Sequence, residues 1–265
     1  MTGRVALPGG VALNTAVDGP DGAPWLVLSN SLGADLSMWD GQVPALAARY
    51  RVLRYDTRGH GASDAPAGPY GFDDLVGDVV GLMDRFGIDR AAFMGLSMGG
   101  MTGLGLALDH PGRVVRLVCA DGRADAPGPF RAMWDERIAR VEAGGMAGIV
   151  DFTLATWLTE DWRAAHPAGT ETVRRMVLGT DPGGYIACCR ALKGLDYLRR
   201  LGGMTVPVLY VGGSEDRGAP PETMRAMAAA TPGGVFREIP GAAHVANINA
   251  PAAFQDAIGG FLGLD

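Results

Sequence analysis

The order of apolar segments in this chain predicts an α/β protein: a mostly parallel sheet flanked by helices, with a block of helices inserted over one end. Three observations carry that reading. Short unbroken apolar runs alternate with stretches of helical spacing, and residues 125–196 hold helical spacing alone. A serine also stands among glycines, in Gly95-Leu96-Ser97-Met98-Gly99-Gly100, where one apolar run passes directly into a helix.

Trp25 to Ser29 and Val52 to Tyr55 read as buried strands, with helical spacing between them from Trp39 to Ala48. Phe72 to Phe86 repeats apolar residues at helical intervals, and Ala91 to Met94 is strand again. The helix from Met101 to Leu108 then leads to a strand over Val114 to Ala120. In the inserted block, helices are expected over Pro129 to Glu142, Met146 to Leu158, Glu171 to Leu178 and Gly183 to Leu192. Strands resume at Val206 to Val211 and Val235 to Ile239, with helices over Pro221 to Ala230 and Pro251 to Leu264. The expected organisation is a core of residues 1–124 and 197–265 and a helical cap of residues 125–196. Such a cap would sit over the strand ends, where open α/β sheets bind ligands.

With 265 residues, 48% of them hydrophobic, the chain can close one large core. A formal net charge of -6 and the lack of a basic run speak against a nucleic-acid or anionic-membrane partner, since both draw on clustered positive charge. Cys119, Cys188 and Cys189 make no disulfide framework, and reduced thiols are expected. No apolar run reaches membrane-spanning length and no signal-peptide core follows Met1, so a soluble cytoplasmic protein is expected. No His-x-x-x-His or Cys-x-x-Cys pair points to a metal.

Ser97 is the candidate nucleophile. A serine on a sharp strand-to-helix turn takes a strained backbone conformation, and Gly95 and Gly99 are needed because a side chain there would strike the crossing strand and helix. The hydroxyl is weakly nucleophilic at neutral pH, so it requires a base within hydrogen-bond reach and a third group that sets the tautomer of that base. His244, in the small-residue loop Pro240-Gly241-Ala242-Ala243-His244 after the last strand, is the candidate base. Candidate acids are Glu215 and Asp216, just after the strand 206–211, and Asp121, after the strand 114–120. Acyl transfer also needs N–H donors aimed at the oxyanion. Met98 follows the serine, and Leu32 lies in the loop Asn30-Ser31-Leu32-Gly33 after the first assigned strand, so these two hold the right positions. His60 sits in a turn that Asp56 and Arg58 are expected to pin, His110 ends the helix after Ser97, and His166 lies in the cap. All three read as structural.

These stretches resemble the α/β-hydrolases, and within them the 3-oxoadipate enol-lactonases of aromatic degradation. The resemblance rests on Leu28 to Gly33 continuing to Asp35 and Met38-Trp39-Asp40, on Arg51 to Ser63, on Gly95 to Gly100, and on Trp134-Asp135-Glu136-Arg137-Ile138. Asn30-Ser31 stands where many of the superfamily carry His-Gly, a form typical of the lactonases, and Asn249 stands where relatives often have glutamate. The resemblance implies an eight-stranded sheet and the chain order Ser97, Asp216, His244. Its Gly-x-x-Asp spacing favours Asp216 over Glu215, although some members place the acid at the position of Asp121.

It further implies ring opening of a small-molecule lactone through an acyl-serine, with no metal or organic cofactor. An enol-lactone bearing a free carboxylate would favour a buried cation. Arg137 is the candidate, with Trp134 on the same helical face and Phe130 and Val141 extending a stripe toward the active site. The same frame serves broader carboxylesterases, cofactor-free perhydrolases of the haloperoxidase type with a tryptophan placed like Trp39, and receptors that retain the triad.

Overall fold

A computed structural model describes residues 2–264. Its strands are β1 (Thr2–Ala6), β2 (Ala12–Asp18), β3 (Trp25–Ser29), β4 (Arg51–Tyr55), β5 (Ala91–Leu96), β6 (Val114–Ala120), β7 (Val208–Gly213) and β8 (Val235–Ile239). They form one eight-stranded sheet in the order β1-β2-β4-β3-β5-β6-β7-β8. Pairing is antiparallel from β1 to β2 and β2 to β4, and parallel from β4 through to β8. Every residue of β5 and β7 is buried, which is why such strands read as unbroken apolar runs.

In chain order the helices are α1 (Val43–Ala47), α2 (Phe72–Arg85), α3 (Met98–Asp109), α4 (Gly128–Gly144), α5 (Val150–Trp157), α6 (Glu160–Ala165), α7 (Pro167–Leu178), α8 (Pro182–Lys193), α9 (Pro221–Ala230), α10 (Ala246–Asn249) and α11 (Pro251–Leu262). Helices α4 to α8 fill the chain between β6 and β7. Where that segment leaves and rejoins the sheet, Asp125 pairs with Asp196 in an antiparallel bridge, and the Tyr197 N–H donates to the Ala124 carbonyl at 2.7 Å. No helix among the described residues is long and apolar enough to cross a membrane.

The first hairpin, the start of β7 and helix α6 differ from the sequence expectation, each for a physical reason. The β1–β2 hairpin is additional: β1 is an exposed edge, and β2 buries only part of its length, including Leu13, Thr15 and Val17, so neither forms a continuous apolar run. The Pro8-Gly9-Gly10 turn between them is the signal that could have revealed it. The strand expected at Val206 begins at Val208, because Pro207 has no N–H for the ladder; its carbonyl instead accepts from the Leu117 N–H at 2.9 Å. Helix α6 is also additional, started by Thr159, whose hydroxyl accepts from the Trp162 N–H, and ended where Pro167 opens α7.

Candidate active site

Ser97 stands at the carboxyl end of β5, between β3 and β6, where the parallel strands all point the same way. Its backbone has φ 54° and ψ -117°, a conformation that costs roughly 1–3 kcal/mol. Burial of Phe93 and Met94 in β5, at about 1.5–3 kcal/mol each, is enough to hold it. The glycines around it are sterically required. A Cβ on Gly95 would lie 2.2 Å from the carbonyl of Gly99, and a Cβ on Gly99 would lie 2.2 Å from the Ser29 oxygen.

The loop after β8 brings His244 back across the sheet, so that Nε2 lies 2.9 Å from Ser97 Oγ. On the far side of the ring, Nδ1 lies 2.9 Å from each carboxylate oxygen of Asp216. Asp216 Oδ1 accepts further hydrogen bonds from the Gly218 and Ala219 N–H groups at 2.7 and 3.1 Å, which fix its orientation. Glu215 is exposed and takes no part in this chain of hydrogen bonds.

Asp121 does not contact the histidine. It is fully buried, and its oxygens accept from the Gly213 N–H at 2.9 Å and the Ala246 N–H at 3.3 Å, tying the end of β6 to β7 and to the loop after His244. Burial first, and the nearby Asp216 second, hold its carboxyl well above the usual carboxylate range.

Of the two N–H groups named for the oxyanion, that of Met98 directly follows the serine in the chain. The Met98 N–H opens α3 and has no intrahelical partner. Leu32 and Ser97 line the same cavity. Within the Asn30–Gly33 loop, the Ser31 N–H meets Met38 Sδ at 3.4 Å and the Gly33 N–H donates to His60 Nε2 at 2.8 Å, while the Leu32 N–H makes no hydrogen bond among the described residues. Asn30 anchors the loop at its base: its amide donates to the Tyr55 carbonyl at 2.8 Å and accepts from Trp39 Nε1 at 3.0 Å. Asp56 accepts from the Leu36 and Ala62 N–H groups, and Arg58 is held by both oxygens of Asp78 at 2.7 Å.

Above the serine is a cavity of ≈ 160 Å³ with an apolar wall that includes Met101, Phe130, Trp134, Phe152 and Trp157. Arg137 lines it too and is 7% exposed, with its guanidinium carbon 5.1 Å from the Trp134 ring and 4.9 Å from that of Phe152. Nη1 donates to the Tyr185 hydroxyl at 3.3 Å, but Nε and the neighbouring Trp134 Nε1 find no acceptor among the described residues. Val141, expected on the same stripe, is a correction: it is buried and does not line the cavity, because on that face it lies a full helical turn beyond Arg137, about 6 Å farther along the axis.

Residues 24–251 match the model of the alpha/beta hydrolase fold family. The chain belongs to that family. It is 36% identical over 251 residues to 3-oxoadipate enol-lactonase 2 of Acinetobacter baylyi, an alignment that spans 94% of this chain and 92% of that protein. The crystal structure of the enol-lactonase from Burkholderia xenovorans LB400 matches with a TM-score of 0.95 and 41% identity, over 98% of this chain and 100% of that one. A thermophilic esterase from Thermogutta terrifontis matches with a TM-score of 0.91 and 28% identity, over 99% and 98% of the two chains.

Two residues of this α/β hydrolase act on the site in ways the sequence reading did not anticipate. Asn249 accepts from the Ala243 N–H at 2.7 Å, which fixes the residue before His244. His60 accepts from the Gly33 N–H, one residue beyond Leu32. The signal for both was weak, since each is a polar residue in a loop and only the fold shows what it meets. His110 ends α3 as expected, and His166 stacks on Trp162 with ring centroids 4.6 Å apart. The three cysteines are free and buried.

Proposed function

We propose that the protein is a serine hydrolase that opens the lactone ring of 3-oxoadipate enol-lactone through an acyl-serine intermediate. One observation carries the reading: the chain of hydrogen bonds Ser97–His244–Asp216 ends in a small apolar cavity that also holds a buried guanidinium with no carboxylate partner among the described residues. The 36% identity to an enol-lactonase over nearly the whole chain supports the same substrate class.

In this mechanism His244 Nε2 takes the Ser97 proton as Oγ attacks the lactone carbonyl, and the N–H groups of Leu32 and Met98 hold the resulting oxyanion. The ring C–O bond then breaks. The departing enolate oxygen takes the proton back from His244, and the enol ketonises. Water, deprotonated by the same histidine, next attacks the acyl-serine, and the acid product leaves with Ser97 restored. Asp216 holds the histidine tautomer throughout. Arg137, with Trp134, receives the substrate's free carboxylate. We read residues 125–196 as the cap that encloses the substrate and residues 1–124 and 197–265 as the catalytic core. A cytoplasmic role in the catabolism of aromatic compounds follows from this substrate.

The deciding experiment assays freshly generated 3-oxoadipate enol-lactone beside simple lactones and p-nitrophenyl esters. A kcat/KM preference for the enol-lactone of at least about a hundredfold, abolished by Ser97→Ala, is expected. Comparable rates on neutral esters would assign a broad carboxylesterase instead.

A further inference from the structure

We infer that His60 is a positioning residue for the oxyanion site, locking the peptide after Leu32 so that the Leu32 N–H stays aimed at the reacting carbonyl. The inference rests on the serine-hydrolase reading above. Of three consecutive N–H groups in the loop, those of Ser31 and Gly33 are occupied, by Met38 Sδ and His60 Nε2, and the one between them has no partner among the described residues. A free donor held between two pinned neighbours can serve a developing oxyanion without reorganising.

His60 is 1% exposed, and its other nitrogen, Nδ1, lies 3.0 Å from the Arg58 carbonyl. Only one tautomer satisfies both contacts: the proton sits on Nδ1, and the Nε2 lone pair accepts from Gly33. Burial keeps the ring neutral, its pKa pushed down to about 4, with the Arg58 carbonyl and the carboxylates of Asp35 and Asp181 pulling more weakly the other way. The acceptor therefore persists at neutral pH.

The turn that carries His60 is also packed against the cap. A Cβ on Gly59 would lie 2.6 Å from Gly184 Cα, and the Asp181 N–H donates to the Gly59 carbonyl at 3.1 Å. The next cap residue, Tyr185, lies 3.7 Å from where a Gly33 Cβ would stand, and its hydroxyl accepts from Arg137. The oxyanion loop is thus clamped between the His60 imidazole and the Tyr185 ring, and the second clamp touches the residue proposed to bind the substrate anion.

The test compares wild type with His60→Leu and His60→Gln, in kcat and KM on an ester the wild type turns over and in affinity for an alkylboronic acid that adds to Ser97 as a tetrahedral mimic. His60→Leu should lower kcat by about 10–100-fold with KM within about twofold, and weaken boronate binding by a similar factor. His60→Gln, whose amide oxygen can accept at the Nε2 position, should stay within about fivefold of wild type. A folded His60→Leu with wild-type kcat, or equal impairment in both variants, overturns the inference. Should His60→Leu fail to fold, replacing Gly33 by glycolate exchanges its N–H for an ester oxygen and leaves His60 untouched; the same loss of kcat is expected, and unchanged kcat overturns the inference. A wild type that neither hydrolyses esters nor binds the boronate would strike the serine-hydrolase reading itself, a different result from either.

Discussion

The strand-end loops and the helical cap treat the polar side chains that line the site in different ways. In the loops, Asp216 accepts from a histidine and two backbone N–H groups, and Asn30 both donates and accepts. In the cap, Trp134 Nε1 and Arg137 Nε are buried without an acceptor among the described residues, although each such group costs about 1–3 kcal/mol. A floor whose catalytic side chains are held by hydrogen bonds, beneath a roof with unpaired side-chain donors, is the arrangement expected when chemistry is built into the core and recognition is completed by a bound anion. The comparison teaches that a substitution in the floor should change kcat, and one in the roof should change KM.

The sharpest break of this comparison would come at Ser97. Ser97→Ala should lower kcat by about 10⁵-fold or more while thermal melting stays near wild type, read by steady-state turnover beside calorimetry. Next come the two carboxylates. Asp216→Asn should lose roughly 10³–10⁴ in kcat, because the amide can present the wrong hydrogen-bond partner to His244 Nδ1. Asp121→Asn should lose less than about tenfold, since the hydrogen bonds of Asp121 among the described residues come from backbone N–H groups. Equal losses would mean that both carboxylates serve the histidine.

In the roof, Arg137→Ala should raise KM for the anionic lactone by about 10–50-fold and leave a neutral aryl ester within about twofold. Equal effects on both substrates would remove Arg137 from anion recognition.

The smallest effect concerns acid stability. His60 has its folded pKa pushed down to about 4 from an ordinary value of 6.5, so the unfolded chain binds the extra proton between those values. The stabilisation is therefore present above the unfolded value and is lost as pH falls toward the folded one, by roughly 1 kcal/mol between about pH 7 and 5.5. Asp121 works in the opposite sense, because its raised pKa favours the folded state in acid. Urea titrations of wild type and His60→Gln at the two pH values should show a shallower acid loss in the variant.

How much could be read beforehand followed from how local each cause is. Gly95, Ser97 and Gly99 announce the turn because they stand where an apolar run passes straight into a helix and the Gly95 clash arises within five residues of chain, although the clash at Gly99 is with Ser29, far off in sequence. Strands β3 and β5 were legible because burial on both faces leaves an unbroken apolar run, and β4 and β6 because a mostly apolar run survives around Arg54 and Arg116, whereas the β1–β2 hairpin, exposed at its edge, left none. The choice among Glu215, Asp216 and Asp121 was not local. All three follow strands in the right part of the sheet, and only the path of the loop after β8 decides which carboxylate the imidazole meets.

Amino-acid order alone determined the layered α/β architecture, the position of the nucleophile turn and the block of helices, since periodicity and the passage from apolar run to helix are set between near neighbours. Tertiary structure decided what the loops do to one another: that His60 holds Gly33, that Asn249 holds Ala243, and that Asp121 braces the sheet. Those contacts join most of their residues across distant parts of the chain, and a hydrogen bond between remote segments leaves no periodic trace in either of them.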